Sequence, residues 1–303
     1  MNNTADSQNP DSRETLCSTV RRVTLGGLAI NLVLSAIKLL AGLFGGSQAM
    51  VADAVHSLSD AVTDVAVLLG VGFWSAPPDD RHPYGHWRIE TLITTSIGLA
   101  LIAVAGGIAF NSIVNIHADH TATPAGYALW AAILSIAVKE LLYQWTVHTG
   151  RRVNSPAMIA NAWHHRSDAF SSIPAAAAIL TARLKPEWAY VDHIGAVVVS
   201  GFVFHAAWVI IKSATGELLD EGASAALLGT IRTVAEGTEG VTSIHAIRTR
   251  KVGPGYHLDL HVLVPADFSV RKGHDIAKAV KHQLMDRTSE IRDVVVHIEP
   301  DDE

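Results

Sequence analysis

About six long apolar stretches divide the chain, at roughly 23–44, 48–74, 90–116, 124–147, 157–182 and 190–212. Each is close to the ~20 residues that a helix needs to cross a bilayer. Turn-forming groups fall between them: Gly45-Gly46-Ser47, Ala76-Pro77-Pro78, Thr123-Pro124, Asn154-Ser155-Pro156 and Lys185-Pro186. The polar first twenty residues include Pro10. They lack the apolar segment of a cleavable signal peptide and read as a short disordered tail. Beyond residue 216 the period changes. A helical pattern at 223–236 precedes alternating runs at 241–250 and 256–264, a second helical pattern at 270–287 and a strand at 294–298. Gly253-Pro254-Gly255 supplies a hairpin turn. The pattern predicts a tail (1–20), an α-helical membrane domain of six transmembrane helices (21–216) and a small α+β domain (217–303) of order αββαβ.

Charge sharpens that division. Only 17% of the 303 residues are charged and 49% are hydrophobic, against about 25% charged in soluble domains. Residues 217–303 nevertheless carry 25 Asp, Glu, Lys and Arg side chains, nearly as many as the 27 in residues 1–216. The net charge of −6 leaves no basic stripe for phosphates and argues against a nucleic-acid binder. Arg13, Arg21, Arg22, Arg81, Arg88, Arg151, Arg152 and Lys212 fall on the side of the N-terminus, while Arg183 and Lys185 fall opposite. This imbalance puts both termini, and the C-terminal domain, in the cytoplasm. The short loops and lack of a targeting segment point to a bacterial inner membrane.

Cys17 is the single cysteine, so any metal site must use carboxylates and the sixteen histidines. The second apolar stretch contains Asp53, His56, Asp60 and Asp64. Spacings of four place the last three along one helical face. An ionisable group at the bilayer centre costs at least ~2.5–3.5 kcal/mol, so this stripe needs a partner or water. The fifth stretch repeats the spacing in His164 and Asp168, with His165 turned about 100° away. Two His-x-x-x-Asp pairs offer two nitrogens and two oxygens, a set suited to tetrahedral Zn²⁺. Asp53, Asp64, Asn161 and His165 read as supporting or packing residues. Interhelical hydrogen bonds or a buried salt-bridged cluster are the competing account. Lys38 reads as a snorkelling side chain and Lys139 with Glu140 as ion-pairing or helix-end residues, while Arg166 also lies within or near a stretch.

With ADAVHSLSDAVTD in the second stretch, HHRSD in the fifth, the loop RHPYGHWRIE and a small domain after LLDEG, the chain resembles the cation diffusion facilitator family. The resemblance covers nearly the whole length. It implies a homodimeric exporter of divalent transition metals, commonly exchanging them for protons, with a transport site at His56, Asp60, His164 and Asp168. Two histidines and two aspartates there imply Zn²⁺, often with Cd²⁺, as substrate, and no organic cofactor. Asp79, His82 and His86 can converge in the loop through Pro83 and Gly85. The resemblance makes them a second metal site in some members, and a capping, salt-bridged loop is the alternative. It also pairs Arg88 with Asp220. In the C-terminal domain, which it likens to a metallochaperone, it assigns a regulatory metal site to His245, His261, His297 and Glu299, and a further ligand to His274. His257 and Asp259 lie nearby.

Two other classes compete. A membrane metalloenzyme such as an intramembrane hydrolase needs an open coordination position and a general base, and the chain has no HExxH helix. A metal receptor without transport would use the same ligands and move no ions.

Overall fold

The computed structural model describes residues 10–74, 76–116, 123–152 and 155–301. Helices α1 (Pro10–Gly45), α2 (Gln48–Trp74), α3 (Arg88–Asn115), α4 (Gly126–Arg152), α5 (Pro156–Ser171), α6 (Ile173–Leu184) and α7 (Val191–Leu218) come first. Helix α8 (Ala225–Glu236), strands β1 (Ser243–Val252) and β2 (Gly255–Pro265), helix α9 (Val270–Arg287) and strand β3 (Ile291–Asp301) follow. Of the expected tail, residues 1–9 lie outside the described residues, as does Asn154 of the Asn-Ser-Pro turn. Residues 10–20 are helical rather than tail-like. Pro10 opens the helix, where its fixed φ suits the first turn and its missing N–H costs nothing.

Two compact units result, Met1–Leu68 with Ile97–Val209, and Leu69–Ser96 with Ile210–Glu303. The division therefore runs through α2, α3 and α7 and gives the 76–87 loop to the C-terminal unit.

In the first unit, small side chains let helices approach closely. Ala49 and Ala52 of α2 pack with Ala175 and Ala178 of α6 and Ala196 and Val199 of α7. A Cβ on Gly195 would lie 2.4 Å from that of Ala178. Such contacts replace the hydrophobic drive that lipid removes. Gly46, at φ +64°, turns the chain from α1 into α2. Asp192 of α7 then caps α2 from outside, accepting from Ser47 Oγ (2.6 Å), Gln48 N (2.6 Å) and Ala49 N (3.4 Å).

The fifth apolar stretch is not one helix. It breaks at Ser172 into α5 and α6, because Pro174 has no N–H to donate and its ring crowds the carbonyl of Phe170. Lys38 also departs from expectation. Its side chain is fully buried, 2.8 Å from Asp53 Oδ2, and donates to Ser57 (3.0 Å) and Ser172 (2.9 Å). A carboxylate within reach in a low-dielectric interior holds the ammonium where water cannot. By length and composition, Arg21–Gly45, Arg88–Asn115, Gly126–Arg152 and Pro186–Leu218 can each cross a membrane. The polar side chains concentrate on α2 and α5.

In the second unit β1 pairs antiparallel with β2, and β2 parallel with β3 through the α9 crossover. The order αββαβ is the one the sequence pattern predicts. Gly253 adopts φ +55° at the first hairpin position, as a primed turn requires. Leu258, Leu260, Val262 and Val264 alternate onto the core, with Ile231 of α8 and Leu284 of α9. That alternation sends His257, Asp259 and His261 to the opposite face. Ser224 and Ser269 cap α8 and α9 through Leu227 N and Lys272 N, each at 3.3 Å. At the end of α7, Arg88 donates to Asp220 Oδ1 at 2.6 Å and to the Glu217 carbonyl. Glu217 Oε1 accepts from Thr91 Oγ1 (2.8 Å) and Gly253 N (3.0 Å).

Asp192→Ala strands the Ser47 hydroxyl and two N–H groups and is expected to destabilise the chain by about 1–3 kcal/mol. Unfolding in detergent measures it, and Asp192→Asn, which keeps one acceptor, should lose less.

Candidate metal centre

Helix α2 sets His56 and Asp60 one turn apart, and α5 brings Asp168 to them. Ligand atoms of the three lie within 4.8 Å of one another. Asp168 is buried, whereas His164 is half exposed with Nδ1 3.7 Å from Asp168 Oδ1. The structure thus gathers three of the four expected ligands and leaves His164 at the rim. Among the described residues, His56 Nδ1 and Asp60 Oδ2 are buried without a hydrogen-bond partner. An orphaned buried polar atom costs about 1–3 kcal/mol, and a coordinated cation would satisfy both. Asp53 serves Lys38 instead, and Asp64 is exposed. His165 is buried, 3.5 Å from Asn161, where a Cβ on Gly27 of α1 would touch its ring.

Lys139, expected to form an ion pair or to lie near a helix end, does pair, but with an expected ligand. Its Nζ lies 2.6 Å from Asp168 Oδ2, with 1% of its side chain exposed. Glu140 turns instead to Arg166 (3.4 Å), whose guanidinium stacks 4.6 Å from the Tyr143 ring centroid. A lysine deep within an apolar stretch was the available signal.

In the loop, Asp79, His82 and His86 also bring ligand atoms within 4.8 Å. Asp79 Oδ1 accepts from the backbone N–H groups of His82 (2.6 Å) and Arg81 (2.9 Å), and His82 Nδ1 lies 3.1 Å away. His86 Nε2 is 3.4 Å from Oδ2. The backbone donors, His82 first, hold the Asp79 carboxyl below its ordinary value.

On the sheet, register builds the third cluster. His245 pairs across from His261, and His261 from His297, so three imidazoles stand side by side. Glu299, two residues beyond His297, reaches all of them: His261 Nδ1 at 2.8 Å, His245 Nε2 at 3.0 Å and His297 Nε2 at 3.4 Å. His274 is not brought into this group. It sits on α9 and lines a neighbouring groove with His297. His257 and Asp259 line a groove of about 490 Å³ with Arg248, Arg250 and Asp293. Burial, then the facing Arg250, lowers the His257 pKa.

Residues 25–219 match the cation efflux transmembrane domain, and residues 223–301 the cation efflux protein cytoplasmic domain. The chain belongs to the cation diffusion facilitator family. It is 31% identical over 285 residues to the manganese efflux system protein MneP of Bacillus subtilis, covering 92% of this chain and 96% of the relative. Metal tolerance protein 2 of Oryza sativa subsp. japonica is 35% identical, with 90% of this chain and 76% of the relative covered. The solved structure MamM-CTD 215-293, 27% identical, covers 25% of this chain and 95% of its own, at a TM-score of 0.24. Cation diffusion facilitators are membrane metal transporters and not enzymes, so this chain combines a helical transmembrane domain with a C-terminal cytoplasmic one.

Glu299→Gln removes the group shared by three histidines. Metal affinity at the sheet cluster should fall by about tenfold or more, the loss seen even for groups that only orient ligands. Calorimetry on the full chain carrying Asp168→Asn measures this, and His274→Ala should leave the value unchanged. Because the folded pKa of His257 is depressed, the unfolded chain binds the extra proton as pH falls through about 6.5. Stability should therefore decline on acidification from pH ~7.5 to ~5.5, and His257→Gln should flatten that decline in thermal unfolding.

Proposed function

We propose that the chain exports divalent transition-metal ions from the cytoplasm in exchange for protons, with Zn²⁺ and Cd²⁺ as cargo. The observation that carries this reading is the convergence of His56, Asp60 and Asp168 from two helices, with buried ligand atoms unpaired among the described residues. A turn of the His164 side chain, already 3.7 Å from Asp168, completes an N₂O₂ set. The cation enters from the cytoplasm, and a rearrangement of the helices opens the site outward. Protons compete for the same imidazoles, whose reference pKa is near 6.5, so an acidic exterior expels metal. In this reading the protein is a homodimer in a bacterial inner membrane with both termini cytoplasmic, as the skew of basic residues supports. The sheet cluster then acts as the regulatory metal site, favouring a closed dimer only by binding metal more tightly in that state.

A second cargo, Mn²⁺, is favoured by two observations. A relative that this chain matches over 92% of its length is named for manganese efflux. The three gathered ligands also comprise one nitrogen donor and two carboxylates, a set richer in oxygen than N₂O₂.

Proteoliposome flux across a panel of cations, with an imposed pH gradient, tests both. Asp60→Asn and Asp168→Asn should reduce flux to background while the dimer persists; near-normal flux in both would refute the site. His56→Asp, exchanging nitrogen for oxygen, should raise Mn²⁺ flux relative to Zn²⁺. An unchanged ratio would remove His56 from the coordination sphere.

A further inference from the structure

Lys139 is the cation nearest the ligand set, and it comes from α4, which supplies no ligand. Its ammonium lies 2.6 Å from Asp168 Oδ2, while His164 faces the other oxygen, Oδ1, at 3.7 Å. The pair is shut off from solvent, at 1% and 4% exposure. The second buried lysine, Lys38, is held differently. It divides its protons among Asp53, Ser57 and Ser172, and that carboxylate takes no part in the cluster. Among the described residues the Lys139 ammonium donates to Asp168 alone. Lys38 is thus fastened by several bonds, whereas one bond must break to free Asp168.

We infer that Lys139 is a tethered counter-cation of the transport site, competing with the metal for Asp168 and raising the binding strength an ion needs to occupy it above what Mg²⁺ and Ca²⁺ reach. The inference rests on the transport-site reading above. Asp60 and Asp168 bring two negative charges, and Lys139 cancels one. An ion held by charge and oxygen donors alone then gains too little to displace the ammonium. Zn²⁺ or Mn²⁺ also forms a bond to the His56 imidazole, which the ammonium does not oppose. The lysine therefore penalises every cation but leaves transition metals with a margin. In a compartment rich in Mg²⁺ that margin keeps the site available.

The test is equilibrium binding of Zn²⁺ and Mg²⁺ to the full-length protein in detergent. Glu299→Gln and Asp79→Asn form the background, so that the intramembrane site dominates the signal. Lys139→Gln keeps a hydrogen-bond donor for Asp168 and removes the charge. It should tighten Zn²⁺ and Mg²⁺ alike, by about tenfold, so that Mg²⁺ occupies the site at concentrations that the wild type excludes. Lys139→Arg offers the carboxylate a firmer two-pronged partner and should weaken Zn²⁺ by about tenfold. Unchanged affinities in a folded Gln variant overturn the inference; if that variant does not fold, an unchanged Zn²⁺ affinity in the Arg variant does so. Asp168→Asn separates the two levels. Wild-type affinity there overturns the transport-site reading and this inference together. Loss of binding there, with the Lys139 variants indifferent, overturns this inference alone.

Discussion

A carboxylate buried between apolar helices has to be paired, and that requirement organises the membrane domain. Three aspartates meet it in three ways. Asp53 takes a lysine and a serine hydroxyl and becomes a fixed strut between α1, α2 and the α5–α6 break. Asp192 takes a hydroxyl and two backbone N–H groups and becomes the cap of another helix. Asp168 takes a single ammonium and stands beside two groups with orphaned atoms. The first two are held by several groups each, and so are structural. The third can exchange partners, which a transport site requires, because an ion must be able both to arrive and to leave.

The helices and strands after residue 222 were legible in the sequence almost to their ends. Alternation and amphipathic periodicity are local, and the Gly253-Pro254 turn and the serine caps fix where each element starts and stops. That His56 and Asp60 share a face of α2 was legible for the same reason, since one turn of helix is a sequence interval. What lay beyond reach were facts about pairs of elements. That Lys139 of α4 meets Asp168 of α5 depends on how those helices are rotated against each other, which no spacing within either reveals. The alignment of His245, His261 and His297 is set by register, and an irregularity between His245 and Arg248 in β1 makes it unreadable from strand spacing alone. The break at Ser172 had a visible cause in Pro174, but the apolar pattern continues across it and reads as one span.

The chain also separates polar groups by what surrounds them. The sheet cluster and the loop cluster lie at partly exposed surfaces, where water can exchange with a ligand. The cluster on α2 and α5 sets two half-buried groups, His56 and Asp60, against the buried Asp168, where fewer arrangements are open to them. The same residue types therefore meet very different solvent access in the two places.

The interruption at Ser172 has a mechanical consequence. Helix α5, which bears His164 and Asp168, is only 16 residues long and ends in a joint, whereas α6 beyond it is locked into the small-residue seam with α2 and α7. An uninterrupted rod would transmit any tilt at the ligands along its full length and pry that seam apart. Pro174 removes a rung of the hydrogen-bond ladder at that joint, so a tilt of α5 about Ser172 would load the seam less than the same tilt passed along a continuous rod.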